Sequence, residues 1–286
     1  MTNDANLALF CDLENVALGV RDANYSKFDI RPILERLLLK GSIVVKKAYC
    51  DWERYKDYKP PLHESAFEMI EIPHLRQSGK NSADIRMVVD ALDLCYTKAH
   101  IDTFVIISGD SDFSPLVSKL RENAKTVIGV GVKNSTSDLL MSNCDEFIFY
   151  DDLIAKAAAK RNKGQNFRTS KTKQSPARSA TSKNSESSTK GIPTAAQLHK
   201  EGIDLVLDVA EALYAERGDR AKLWGSMVKQ TLQRRSPGFN ESAYGYDAFN
   251  DLLEDAADRG YLELDRDEKS GGYTIRKIVR DPKSRK

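Results

Sequence analysis

Thr103-Phe-Val-Ile-Ile-Ser-Gly-Asp-Ser-Asp-Phe113 decides how the rest of the chain is read. Thr103–Ile107 is a short apolar run rich in β-branched side chains, the pattern of a strand buried on both faces of a parallel sheet. Ser108-Gly-Asp-Ser-Asp-Phe113 follows at its carboxyl end, where open α/β sheets bind their ligands. Asp110 and Asp112 are thereby crowded together, and two carboxylates in one place require a proton or a cation. A second run, Leu7-Ala-Leu-Phe-Cys11, ends in the same way in Asp12-Leu-Glu-Asn15. The economical reading is an oxygen-lined site for a divalent metal.

Working outward, strand-like and helix-like segments alternate from residue 5 to about 155. Leu7–Cys11, Ser42–Tyr49, Glu68–Ile72, Thr103–Ile107, Thr126–Val130 and Glu146–Phe149 read as strands. Phe28–Leu39, Ser82–Lys98, Ser114–Asn123 and Ser135–Met141 read as helices. In Ser82–Lys98, residues Ile85, Val88, Val89, Leu92 and Cys95 follow helical spacing and predict one buried face. This alternation predicts an α/β fold, a parallel sheet with helices on both faces. The segment between Trp52 and Leu75 fits neither pattern well.

The chain has 286 residues, enough for a good core and a second small domain. Its 44 basic and 42 acidic residues nearly cancel, but they are unevenly placed. Residues 1–150 carry 18 basic and 22 acidic side chains, and residues 151–190 carry 10 and 3. The positive excess in the middle suits a polyanion. Residues 156–198, dominated by Ser, Thr, Lys, Arg, Asn and Gln, read as a basic disordered linker. This divides the chain into 1–155, the linker, and a C-terminal domain over 199–280. There Ile203–Tyr214, Ala221–Arg234 and Tyr246–Arg259 read as helices. Tyr261–Leu264 and Tyr273–Arg276, around Ser270-Gly-Gly272, read as a hairpin. Three helices and a hairpin describe a winged helix.

Cys11, Cys50, Cys95 and Cys144 are far apart, without metal-ligand spacing, and read as small buried hydrophobes in a reducing compartment. No apolar run has the length of a membrane span and no signal peptide is visible; the expectation is a cytoplasmic protein with no membrane partner. Neither a GxSxG elbow nor a Walker GxxxxGK[ST] motif is present, and the four histidines are scattered.

The candidates for chemistry are Asp12, Asn15, Asp84, Asp110 and Asp112. Mg²⁺ or Mn²⁺ on such carboxylates can activate a water and stabilise charge on a phosphoryl oxygen. Each has a plainer reading: Asp112 as a helix N-cap, Asp84 as a favourable first-turn acid, Asp12 and Asn15 as turn formers. Their convergence on strand ends of one edge favours the functional reading. Glu14 is undecided, Asp90 and Asp93 read as structural, and Lys80 and Ser108 are candidates for a phosphate contact. Ser135 and Ser137 are expected to cap the next helix, with Asp145 a more remote carboxylate.

Phe10-Cys-Asp-Leu-Glu-Asn-Val16, Gly79-Lys-Asn-Ser-Ala-Asp84 and Ser108-Gly-Asp-Ser-Asp-Phe113, in that order, resemble the NYN domain, the PIN-like nuclease group that includes the LabA-like bacterial proteins. The resemblance covers roughly residues 5–155. It implies a Rossmann-like, PIN-like fold and metal-dependent endonucleolytic cleavage of RNA. Asp12, Asp84, Asp110 and Asp112 match the family's acidic positions and would bind Mg²⁺ or Mn²⁺. Asn15 matches its motif asparagine and would orient Asp12 or the substrate.

Leu223–Leu232, Arg234-Arg-Ser-Pro-Gly-Phe-Asn240 and Tyr244-Gly-Tyr-Asp-Ala-Phe-Asn-Asp-Leu-Leu253 resemble the LOTUS or OST-HTH domain over roughly residues 200–280, which implies a winged helix that binds RNA. Lys222, Lys229, Arg234 and Arg235 would face phosphates, and Tyr244 or Tyr246 would stack on an unpaired base. The acids Asp251, Glu254, Asp255 and Asp258 argue against a DNA groove and keep a protein partner for this module open. Two rivals stand beside the ribonuclease reading. One is a haloacid-dehalogenase-like phosphatase, whose two acidic motifs Asp12-x-Glu14 and Gly109-Asp-Ser-Asp112 imitate superficially. The other is a non-catalytic regulator that binds RNA or protein.

Overall fold

The computed structural model describes residues 5–72, 82–157, 194–217, 222–267 and 271–280. Six strands, β1 (Ala5–Asp12), β2 (Gly41–Cys50), β3 (Glu68–Glu71), β4 (Thr103–Ile107), β5 (Thr126–Gly131) and β6 (Glu146–Phe149), form one sheet in the order β3-β2-β1-β4-β5-β6. Every neighbouring pair is parallel. The winding therefore reverses between β1 and β4, and their carboxyl ends open on the crevice where such sheets take ligands.

Strand alternation divides the core. Leu7, Leu9, Cys11, Val105 and Ile107 pack to one side with Val16 and Val20 of α1 (Leu13–Asp22), Ile33 and Leu37 of α2 (Arg31–Leu38) and Leu62 of α3 (Lys59–Glu64). Ala8, Phe10, Phe104 and Ile106 pack to the other. Their partners are Met87 and Ala91 of α4 (Ser82–Thr97), Leu116 and Val117 of α5 (Ser114–Glu122) and Leu140 of α6 (Asp138–Asn143). The Phe10 and Phe104 rings stack with centroids 6.0 Å apart. Each buried ring contributes about 1.5–3 kcal/mol. The expected α/β fold with helices on both faces is the one observed, and all four cysteines are buried free thiols.

Three details differ from expectation. In α4 the buried side is Met87, Ala91, Leu94 and Cys95, while Ile85 and Val89 are 63% and 55% exposed. This helix is apolar on nearly every side, so periodicity alone does not fix its rotation. Asp90 does: it accepts from the Tyr49 hydroxyl at 2.8 Å and pairs with Lys47 at 3.5 Å, turning that side toward β2. Second, the chain turns helical immediately after Asp12, because Leu13, Val16, Ala17 and Val20 supply a buried helical face. Glu14 thus lies in a first helical turn rather than on a strand. Third, the segment after Trp52 holds a 3₁₀ turn (Lys56–Tyr58) and α3, whose start is set by Pro60 and Pro61.

Contacts divide the chain into two compact units, residues 1–154 with 226–239, and 155–225 with 240–286. The C-terminal chain runs through α7 (Ala195–Arg217), β7 (Leu223–Trp224), α8 (Gly225–Arg235), α9 (Phe249–Asp258), β8 (Leu262–Arg266) and β9 (Tyr273–Ile278). The three strands form an antiparallel sheet in the order β7-β9-β8. The three expected helices and the hairpin are present. The short strand β7 was read as helix, since two residues are too few for alternation to show. Helix α7 begins at Ala195, inside the stretch expected to be linker, and residues 158–193 of that stretch lie outside the described residues. Tyr246, expected to offer its ring to a base, is buried instead. It stacks on His199 at 4.8 Å and donates its hydroxyl to Asp255 at 2.5 Å. Among the described residues no helix is long and apolar enough to cross a membrane.

Candidate active site

Asp12 is the last residue of β1 and is 7% exposed. One of its carboxylate oxygens accepts the Asn15 backbone N–H at 3.3 Å, and the other accepts the Ser108 hydroxyl at 3.2 Å. The first bond caps α1 and the second ties β1 to the end of β4. Ser108 also accepts the Asp110 N–H at 3.2 Å. Ser108 was expected to contact a phosphate; it is fully buried, and its hydroxyl is engaged with Asp12 and the Asp110 N–H.

The Asn15 side-chain oxygen accepts the Gly109 N–H at 2.9 Å, so the first turn of α1 holds the β4 loop in register. Gly109 is required there: a Cβ would lie 2.4 Å from the Ser135 carbonyl oxygen. Its own carbonyl accepts from the Ser137 N–H at 2.9 Å. Asp110, not Asp112, caps the following 3₁₀ turn (Ser111–Phe113) by accepting the Asp112 N–H at 3.0 Å. That leaves Asp112 exposed at the rim. Asp84 stands half-buried in the first turn of α4.

Burial, reinforced by the charge of Asp84, pushes the Asp12 carboxyl up to about 7. The bonds from Asn15 and Ser108 oppose the rise, and Asp110 adds to it. Asp84 is raised to about 6 by burial first, then by Asp110, Asp112 and Glu14. Asp12, Asp84 and Asp110 are therefore electrostatic neighbours, and Glu14, undecided from the sequence, stands near enough to Asp84 to act on it. Among the described residues no Lys or Arg pairs with Asp12, Asp84, Asp110 or Asp112.

An excess of buried negative charge on oxygen donors is the chemistry a hard divalent cation fits. Among the described residues no three His, Cys, Asp or Glu side chains are grouped to grip one ion directly. Oxygen donors are those that Mg²⁺ or Mn²⁺ would take, with the rest of the coordination left to water.

Other expectations resolve plainly. Ser137 caps α6 through the Leu139 N–H, whereas Ser135 lies in a separate 3₁₀ turn. Asp145 accepts from the Val127 N–H at 2.8 Å and pairs with Arg121, which makes it structural. Asp90 is structural as expected. Lys80 lies outside the described residues. In the C-terminal region Lys222, Arg234 and Arg235 are exposed, and Lys229 and Tyr244 are half-buried. Arg54, to which the sequence reading gave no role, places its guanidinium 3.7 Å from Glu14. The clue available was the interleaving of bases and aromatics in Trp52-Glu-Arg-Tyr-Lys-Asp-Tyr-Lys59.

Comparison with known proteins adds three findings. An uncharacterized protein of Methanocaldococcus jannaschii is 30% identical over 120 residues, which cover 42% of this chain and 47% of the relative. The chain thus matches about half the length of that relative. A crystal structure of a protein of unknown function from Vibrio parahaemolyticus aligns with TM-score 0.48 and 26% identity, covering 54% of this chain and 97% of the other. The profile of the NYN domain matches residues 6–151, a span that contains every acid of the site and more than half of the chain, so the chain belongs to the NYN domain family.

Proposed function

We propose that this protein is a divalent-metal-dependent endoribonuclease whose C-terminal region is a LOTUS/OST-HTH-like winged helix that captures RNA. The observation that carries the reading is Asp12. It is a carboxylate withdrawn from water at the sheet's reversal point, crowded by Asp84 and Asp110, with no described basic partner. Membership of the NYN family, generally ribonuclease-like, supports it.

Asp12, Asp84, Asp110 and Asp112 would hold Mg²⁺ or Mn²⁺. When bound, such an ion lowers the pKa of a water and offsets charge on the phosphoryl oxygens. The chain's own residues do the positioning. Ser108 and the Asn15 amide fix both oxygens of Asp12, and the Asn15 side chain holds the Asp110 loop against it. Asp112, exposed at the rim, is the acid that incoming RNA meets first. Lys222, Lys229, Arg234, Arg235 and Tyr244 are the candidates for holding RNA in the C-terminal region, and tethering through it raises the local substrate concentration.

The test compares wild type and Asp112→Ala on labelled single-stranded and hairpin RNAs with Mn²⁺, Mg²⁺ or EDTA. Cleavage abolished by both EDTA and the substitution is the expected result. Cleavage unchanged in Asp112→Ala refutes the site. Binding without cleavage in wild type makes the protein a non-catalytic RNA-binding regulator instead. A phosphoenzyme formed on Asp12 would identify the phosphatase chemistry.

A further inference from the structure

We infer that Arg54 and Tyr55 form a ledge beside the acids that holds single-stranded RNA, Arg54 gripping a phosphate next to the one attacked and Tyr55 stacking on a base. The inference rests on the ribonuclease reading and adds the strand's path to it.

Asp12 is in register with Tyr49 of β2. Residues 51–55 therefore leave the sheet one strand away from Asp12 and on the same edge. The turn they make is anchored from below. Asp51, 9% exposed, accepts the N–H groups of Glu53 at 3.1 Å and Arg54 at 3.4 Å through its carboxylate. Its backbone carbonyl accepts those of Arg54 at 3.1 Å and Tyr55 at 3.2 Å. Trp52, 2% exposed, donates its indole N–H to the Ile70 carbonyl at 3.0 Å and its backbone N–H to Glu71 at 3.2 Å. A turn fixed this firmly by buried groups displays its outward side chains in set positions.

Arg54 is one of these, with its side chain 53% exposed. Its partner Glu14 is 3.7 Å away, well beyond the roughly 2.7–2.9 Å of a strong charge-assisted bond. The guanidinium is close to the acid rim but loosely held, and a phosphate that accepts two N–H bonds would displace that contact. Lys56 is already engaged with Glu53 at 2.9 Å, and Lys59, 3.9 Å from the same carboxylate, lies on the far side of it from Glu14 in sequence. Tyr55 packs its body against the core and keeps part of its ring at the surface, 6.2 Å from Tyr58. Lys27 lies 4.7 Å over the Tyr58 ring. An acid cluster repels a polyanion, so a strand approaching Asp12 needs a cation at the rim. A partly exposed ring beside that cation is the usual platform for an unpaired base.

The experiment measures kcat and KM on a short single-stranded RNA with Mn²⁺, and RNA affinity by fluorescence anisotropy at several salt concentrations in EDTA. It uses the full chain as wild type, Arg54→Ala, Arg54→Lys, Tyr55→Ala and Tyr55→Phe. Arg54→Ala is expected to raise KM about 10-fold with kcat within about 2-fold, the signature of lost uniform binding. It is also expected to flatten the dependence of log affinity on log salt by about 0.7, the contribution of one phosphate contact. Arg54→Lys recovers part of the loss, Tyr55→Ala raises KM about 5-fold, and Tyr55→Phe, which keeps the ring, recovers most of that rise. An unchanged KM and salt slope in Arg54→Ala overturns the ledge while leaving the nuclease intact. If wild type cleaves nothing, loss of affinity and slope in Arg54→Ala keeps the ledge and removes the chemistry. If affinity is also unchanged, both fall.

Discussion

Asp12 and Asp90 are two acids largely withdrawn from water in the same unit, and they are treated in opposite ways. Asp90 accepts the Tyr49 hydroxyl at 2.8 Å and Arg86 at 3.0 Å, and it pairs with Lys47 at 3.5 Å. Asp12 receives one backbone N–H and one hydroxyl, has Asp84 and Asp110 for charged neighbours, and is raised to about 7. A fold that needed Asp12 only as a helix cap could supply a base, as it does for Asp90. An acid left in like-charged company costs stability, and that cost is the usual mark of a site shaped for a ligand.

The largest expected effect separates the two acids by activity. Asp12→Ala should lower metal-dependent RNA cleavage by at least about 100-fold, the scale of losing one key electrostatic contribution to a transition state. Asp90→Asn should leave kcat/KM within about 3-fold, because Asp90 faces β2 and not the crevice. Equal losses in single-turnover assays would erase the distinction.

Stability should move the other way. Asp12→Asn keeps one oxygen to accept the Asn15 amide, gives up the acceptor of the Ser108 hydroxyl, and removes a repelled charge. Urea unfolding in EDTA at pH 8 should show it more stable by about 2–4 kcal/mol. Asp90→Asn strips the charge partner from Lys47 and should cost about 1–3 kcal/mol. Two variants destabilised alike would mean that Asp12 is compensated by groups not accounted for.

Much of this contrast is legible in the sequence, and the missing part has a physical reason. Asp12, Asp110 and Asp112 can be read because apolar runs such as Leu7–Cys11 and Thr103–Ile107 can only be buried strands, which fixes where each chain leaves the sheet. The strand bounds Thr103–Ile107 and Glu146–Phe149 agree to the residue. The rotation of α4 cannot be read, because Ile85, Val89, Met87 and Leu94 are equally apolar and a long-range bond from Asp90 decides among them. Nor is the pairing of Asn15 with Gly109 legible, since nothing local predicts a bond across 94 positions. Arg54 was missed for a related reason. The turn that displays it is held by Trp52 bonded to Ile70, and a stretch whose order depends on such contacts carries no period of its own.

The pH dependence sharpens the comparison further. In the fold the Asp12 carboxyl sits at about 7 against an ordinary 3.8, so the folded state binds this proton more tightly than the unfolded chain. Where the unfolded state has already lost the proton and the folded state has not, stability falls with rising pH. The metal-free protein should lose stability between about pH 4 and about 7 and then level off. Asp84, raised to about 6, steepens the lower part of that fall. Asp12→Asn should flatten it, and Asp90→Asn should not. Added Mn²⁺ should raise the melting temperature of wild type most above pH 7, by mass action on the ionised site, and should do little for Asp12→Asn. A thermal-shift series from pH 5 to 8.5 reads all three.

The smallest effect belongs to an ion cluster that resembles Asp90's on paper. Arg280 donates to Asp208 at 2.5 Å and to Glu211 at 2.6 and 2.7 Å, a denser network than anything around Asp12. Its groups are exposed, with side-chain accessibilities of 60%, 56% and 39%. Water solvates each charge nearly as well as its partners do, and salt screens what attraction is left. Arg280→Ala should therefore leave the unfolding midpoint unchanged within measurement error at ordinary ionic strength, although it removes three short hydrogen bonds. A clear loss would show that the number of contacts around a charge matters more than its separation from water. That result would undercut the weight placed on Asp12, whose importance rests on burial and not on the number of its partners.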